Sequence, residues 1–284
     1  MDFLLNEKSL HGQFESTEKF LESLSENVSC FQLVTKKMAG RIWKITDFYK
    51  CKITGDITIA DLKQFPASDE LRRFRIGLEK VTETTPFWDE APAHDYGAVF
   101  LWEEQDVSAT AIAEAAVRDQ GLLSFFSLPY ADKILDVSAG ENTYRVSSIY
   151  TARYLVESFK ENMDLGRDEY LKIRYRGTRI DCALLEEEYG AVLLEKEEFA
   201  RLLSTLDKFV RHDSWESIAL DDGLEYKKYS PSREKDDWFS GSPYHGKQIM
   251  KFRCSDKMRC FGYRKKDFFR LLRIERDHKI SNKG

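Results

Sequence analysis

Residues 249–279 constrain the fold more than any other stretch. Three short runs, 249–254, 259–264 and 268–275, are separated by polar turns, and an arginine or lysine falls at nearly every second place. Runs of this length bounded by turn residues predict a β-meander. A period of two places Lys251 and Arg253 on one face of the first run, with Met250, Phe252 and Cys254 on the other. The third run does not sort as cleanly: Phe269, Leu271 and Arg273 alternate with Arg270, Leu272, Ile274 and Arg276. The expectation is a small antiparallel sheet with one packed face and arginines along the other face and its edges.

Charge sets this stretch apart. From Tyr226 to the C-terminus there are 17 Lys and Arg against 7 Asp and Glu, whereas the rest of the chain holds 27 against 42. The net charge of −5 hides this split. A basic end on an acidic body fits contact with a polyanion. The competing reading is that the basic module docks on the acidic body within one fold.

Hydrophobic residues make up 42% of the chain and aromatics 13%, enough for a packed core. The apolar runs fall far short of the ~20 residues a spanning helix needs, so no membrane association is expected. The start lacks the basic and apolar regions of a signal peptide, which points to the cytoplasm. Five cysteines (Cys30, Cys51, Cys182, Cys254, Cys260) form no CxxC pair, which argues against a disulfide framework or a zinc ribbon. Cys254 and Cys260 are placed to face one another across a hairpin, as small buried side chains.

Along the chain, residues 1–14 read as a strand or extended arm. Ser16 caps a helix over 17–38 whose Phe20, Leu24, Val28 and Phe31 share a face. A strand follows at 41–46, a short helix at 58–65, and a longer one after Ser68 with Leu71, Phe74, Leu78 and Val81 inward. Its outer arginines, Arg72, Arg73 and Arg75, read as a solvated face with i,i+4 partners.

The apolar run 96–102 predicts a central strand buried on both sides. Asp106 or Ser108 would cap an alanine-rich helix through Arg118, with Glu114–Arg118 as an i,i+4 pair. A buried strand at 122–127, a hairpin over 133–148 and a helix at 150–162 follow. Strands are expected at 170–175, 179–185 and 189–194, then a strongly amphipathic helix at 196–210. The matching runs at 96–101 and 189–194, each beginning Tyr-Gly-Ala-Val, are either a duplicated strand–helix unit or chance likeness between apolar runs. A polar connector, 221–246, leads into the meander.

The fold class expected is α+β: a mixed sheet with packed helices, plus a small basic antiparallel β-meander at the C-terminus. The organisation expected is an acidic body at 1–165, a strand–helix extension at 166–222, and connector plus meander at 223–284.

Arginine offers a planar fork of donors that matches phosphate. Lys251, Arg253, Arg259, Arg264, Arg270 and Arg273 are therefore the candidate nucleic-acid contacts. His278, Asp277 and Tyr263 are the candidate groups for moving protons beside them. There is no GxxxxGK[ST], GxGxxG or HExxH pattern, so no cofactor and no metal is expected.

The sequence of 249–279 resembles the terminal sheet of small RelE-like bacterial toxin domains and of similar mobile-element or defence-associated proteins. That resemblance implies RNA cleavage without a metal on a small curved sheet, with Arg253, Arg259, Arg264 and His278 as the positions that matter. The function expected is therefore a bacterial-type cytoplasmic protein contacting RNA or DNA, in the manner of a toxin- or defence-like ribonuclease. The alternative is a non-catalytic adaptor of a multi-protein, defence-type system whose acidic body binds a partner protein.

Overall fold

A computed structural model describes residues 1–280; the last four residues of the expected 223–284 module lie outside the described residues. The fold is α+β, and the chain divides into two compact units, one from Met1 to Asp164 and one beginning at Leu165.

The first unit contains β1 (Phe3–Leu5), α1 (Thr17–Lys37), β2 (Ile42–Trp43), α2 (Asp69–Thr82), β3 (Leu101–Trp102) and β4 (Gln105–Asp106). It continues with α3 (Ala111–Arg118), β5 (Gly121–Leu123), β6 (Lys133–Ala139), β7 (Asn142–Ile149) and α4 (Ala152–Phe159). Its seven strands lie in the order β2-β1-β5-β7-β6-β3-β4. The first four are mutually parallel and the last three join antiparallel.

Alternation along β1 explains how both sheet faces are covered. Leu4 joins Leu122, Val137 and Val146 in a core with Ile112 and Ala115 of α3. Phe3 turns the other way and meets the ring of Phe159 in α4 at 5.2 Å. Ser16 caps α1 as expected, accepting from the Lys19 N–H at 3.2 Å.

Two expectations fail in this unit. The run 96–102 is not a central strand: only Leu101 and Trp102 form β3, one strand from the sheet's edge. Asp95 turns the chain first, accepting from the Gly97 N–H through its carboxyl at 2.8 Å and from the Ala98 N–H through its carbonyl at 3.0 Å. Tyr96 and Val99 are consequently 58% exposed. Neither Asp106 nor Ser108 caps α3, because each bonds the other; Thr110 caps it, accepting from the Ile112 N–H at 3.2 Å.

The second unit contains α5 (Arg167–Arg174), β8 (Ile180–Asp181), α6 (Lys196–Arg211), α7 (Trp215–Ala219), β9 (Lys227–Lys228), β10 (Met250–Arg253), β11 (Arg259–Lys265) and β12 (Phe268–Glu275). Its sheet runs β8-β12-β11-β10-β9, with β8 parallel to β12 and every other pairing antiparallel.

Residues 170–174 are helical rather than extended, and Tyr175 caps the helix's C-terminus. Tyr170, Leu171 and Ile173 are buried from one face of α5, and Asp168 and Glu169 in its first turn favour the helix dipole. The stretch 189–194 forms 3-10 turns at Glu187–Tyr189 and Ala191–Leu193. The two Tyr-Gly-Ala-Val runs therefore share no strand, and a duplicated strand–helix unit is not present.

A bulge resolves the uneven pattern of the third run. The register between β11 and β12 shifts between Phe261 and Gly262, and the extra residue lets Leu272 and Arg273 both serve the same face. Gly262 permits this, since a Cβ there would lie 2.0 Å from the Arg270 carbonyl oxygen.

Directly opposed residues share a sheet face. Phe252, Cys260 and Ile274 thus lie together, and the ring of Phe209 from α6 packs on Phe252 at 4.9 Å. The Cys254 and Cys260 sulfurs are 3.3 Å apart, both buried. The opposite face carries Lys251, Phe261 and Arg273 in one row and Arg253, Arg259 and Glu275 in the next. The connector folds over part of this second face, where Tyr229, Phe239 and Ile249 bury Phe261 and Leu272. The end of the face that carries Arg253 and Arg259 is not part of this cluster.

Candidate functional site

That end of the sheet is concave. A pocket of about 450 Å³ is lined by Glu225, Lys227, Lys228, Lys251, Arg253, Arg259 and His278. Among the described residues, five Lys and Arg and one His line it against one carboxylate, that of Glu225.

Local structure explains each placement. Asp221 nucleates the turn before β9, its carboxyl accepting from the N–H groups of Gly223 and Leu224 at 2.8 and 3.1 Å. Burial alone would raise the Asp221 pKa, but bonds from Lys208, His212 and those two N–H groups outweigh it and hold the group at about 2. The Leu224 carbonyl then accepts from the Arg253 N–H at 2.6 Å. Lys227 and Lys228 pair with Lys251 and Met250, which brings Lys227 beside Lys251.

Arg253 reaches Glu225 through Nη2, while its Nε is buried with no hydrogen-bond partner among the described residues. Arg259 folds under the β10–β11 turn, Nη1 donating to the carbonyls of Ser255 at 2.6 Å and Met258 at 3.0 Å. His278 follows β12 in a left-handed conformation, φ +60°, and reaches the pocket from its end.

The cations press on one another. Burial lowers the Lys251 pKa, and Lys227 lowers it further. Burial likewise lowers that of Arg259, followed by the charge of Arg253. Positive charge that is both desolvated and crowded favours an anionic ligand.

The structure thus brings together Lys251, Arg253, Arg259 and His278 from the sequence-based set. The other candidates do not line the pocket. Arg273 is buried; it forms a bidentate pair with Glu186 (2.9 and 3.0 Å), donates to the Trp238 carbonyl and stacks on Tyr189 and Phe239, each 4.5 Å away. Arg270 pairs with Asp181 at 2.5 Å. Arg264 lies 4.2 Å over the Trp215 ring. Tyr263 packs beside Tyr244 at 6.2 Å under Lys247. Asp277 is paired with Lys279, which holds its carboxyl below the usual range.

Sequence reasoning missed Lys227, Lys228 and Glu225. The two lysines are adjacent in a connector, and only pairing to β10 sets Lys227 beside Lys251. Among the described residues no group of three or more His, Cys, Asp or Glu side chains is placed to hold a metal ion.

The first unit holds a different polar cluster. His94 Nδ1 lies 2.5 Å from Glu114 Oε2, both side chains fully buried, and Glu114 also accepts from the Ala93 N–H at 2.8 Å and from Arg118. These bonds clamp the loop before β3 onto α3.

No helix among the described residues is long and apolar enough to cross a membrane. Comparison with protein-family models, with curated proteins and with solved structures finds no match to this chain.

Proposed function

We propose that this chain binds nucleic acid by seating backbone phosphate in the pocket formed by Lys227, Lys228, Lys251, Arg253, Arg259 and His278. The carrying observation is that these six residues line one cavity. Phosphate contacts from Lys and Arg supply sequence-independent affinity, and the reading seats about two neighbouring phosphates of a single strand in the recess.

Of the three groups first considered for proton transfer, His278 lines the pocket, so cleavage of a bound RNA would rest on it. The reading places the chain in the cytoplasm, supported by five cysteines that are all free thiols.

The test is equilibrium binding of labelled single-stranded RNA and DNA to the full chain, compared with Lys227→Ala/Arg253→Ala. Binding weakened roughly tenfold or more in the variant is expected. Equal binding by both proteins would remove the pocket from the reading. Cleavage is read separately: RNA cut equally well by His278→Ala would exclude that residue from the chemistry.

A further inference from the structure

A second concavity lies in the first unit, between α1 and α2, with a volume of about 620 Å³. Its walls are one face of each helix and the segments that follow them. On α1 the lining residues include Val28, Phe31, Gln32, Thr35 and Lys36; on α2 they include Gly77, Lys80 and Val81, with Thr84 and Pro86 just past its end. Val28, Phe31, Gln32 and Thr35 fall at i, i+3, i+4 and i+7, and Gly77, Lys80 and Val81 at i, i+3 and i+4, so each set is one face of its helix. From residue 28 to 36 the α1 wall runs for about 12 Å, at ~1.5 Å per residue. Gly77 brings the helices together at the floor, where a Cβ would sit 2.9 Å from a Val28 methyl carbon.

Charge distinguishes this groove from its surroundings. Met1 to Asp164 carries 27 Asp and Glu against 18 Lys and Arg, yet among the described residues no carboxylate lines the groove; its charged residues are Lys36, Arg41 and Lys80. Asp2 compensates Arg41 at 2.8 Å. Among the described residues neither Lys36 nor Lys80 pairs with a carboxylate, and both are exposed.

We propose that the α1–α2 groove docks an acidic amphipathic helix of a partner protein. An apolar stripe two to three turns long would lie on Val28, Phe31, Val81 and Pro86, with glutamates or aspartates at its margins facing Lys36 and Lys80. A helix laid into a groove offers its own i, i+3, i+4 and i+7 side chains as anchors, and the α1 wall, about 12 Å from residue 28 to 36, is long enough to meet two turns of them. Opposite charges at the rim set orientation and exclude basic segments.

The probe is a labelled synthetic helix with leucine on one face and glutamate on the rest, titrated with the full chain by fluorescence anisotropy. A leucine/lysine helix and a scrambled leucine/glutamate peptide serve as comparisons. The acidic helix is expected to bind, and the lysine and scrambled peptides to bind at least tenfold more weakly. Lys36→Glu/Lys80→Glu, on exposed positions, is expected to weaken binding by roughly tenfold or more. Thr35→Glu, also exposed, places a carboxylate on the wall and is expected to do the same. Amide shifts in residues 28–36 and 77–84 are expected on binding.

No binding of the acidic helix, equal binding of the lysine helix, or indifference to both variants would overturn the proposal. So would binding of phosphatidylserine vesicles or self-association in place of the peptide, each of which assigns the groove another occupant.

Discussion

Arg253 and Arg259 stand directly opposite one another on β10 and β11, and like charges at opposed positions repel. Lys227 and Lys251 form a second opposed pair on β9 and β10. Such a face is stabilised when an anion sits between its cations. Phosphate or sulfate is therefore expected to raise the thermal midpoint of the full chain by about 2–4 °C at roughly ten times its Kd. Chloride at equal ionic strength is the control. Lys227→Ala/Arg253→Ala is expected to abolish the difference, and an undiminished phosphate effect in that variant would count against the pocket.

Arg273 was a candidate for phosphate contact, and the structure commits it to holding the connector on the sheet. Its removal strands Glu186 and leaves the Trp238 carbonyl without its guanidinium. Arg273→Ala is expected to cost about 3–5 kcal/mol, measured by urea unfolding. Arg273→Lys is expected to recover only part of this, because an ammonium cannot reproduce the bidentate fork. Loss of RNA binding in Arg273→Ala with unchanged stability would contradict the assignment.

Glu7 gives the first unit a dependence on pH. Burial pushes its pKa from 4.5 up to about 7, against the opposing bond from the Ala111 N–H at 2.8 Å. Between those values the folded chain keeps a proton that the unfolded chain releases, so stability falls as pH rises. The span from 4.5 to about 7 corresponds to ~3 kcal/mol. Glu7→Gln is expected to flatten the fall and to raise stability above pH 7 by about 1–3 kcal/mol. The check is denaturant unfolding of both proteins from pH 5 to 8, read at about one-unit steps; parallel curves would refute it.

Glu114 is the anchor of the His94 clamp. Glu114→Ala removes the acceptor for His94, Ala93 and Arg118 together and leaves buried donors unpaired. A loss of about 3 kcal/mol is expected. Hydrogen exchange should show the loop at residues 86–98 opening first. Protection there equal to that of the unsubstituted protein would show that the clamp does not hold the loop.

The meander and the long helices were legible because their signals are local. Ser16 and the stripe through Phe20, Leu24 and Phe31 define α1 without reference to the rest of the chain, and Phe199, Leu202, Leu206 and Phe209 define α6 in the same way. Short apolar runs failed. Tyr170, Leu171 and Ile173 fit either period, and Asp95 turns the chain at 96–102 before a strand can form there.

The site was half legible. Alternation identified Lys251 and Arg253 on one face, yet the bulge at Phe261/Gly262 cannot be read from composition. What distinguishes Arg259 from Arg273 is non-local: Glu186 lies 87 residues from Arg273 in sequence. Lys227 became a pocket residue only through pairing with Lys251 of β10.

The salt dependence of nucleic-acid binding tests the central claim most directly. Single-stranded RNA and DNA should be titrated with the full chain from about 50 to 200 mM salt. If the pocket seats about two phosphates, affinity should fall roughly tenfold across that range. The slope should shrink by about one phosphate's worth in Lys227→Ala. Absence of binding at about 50 mM salt, or a slope indifferent to Lys227, Arg253 and Arg259, would contradict it.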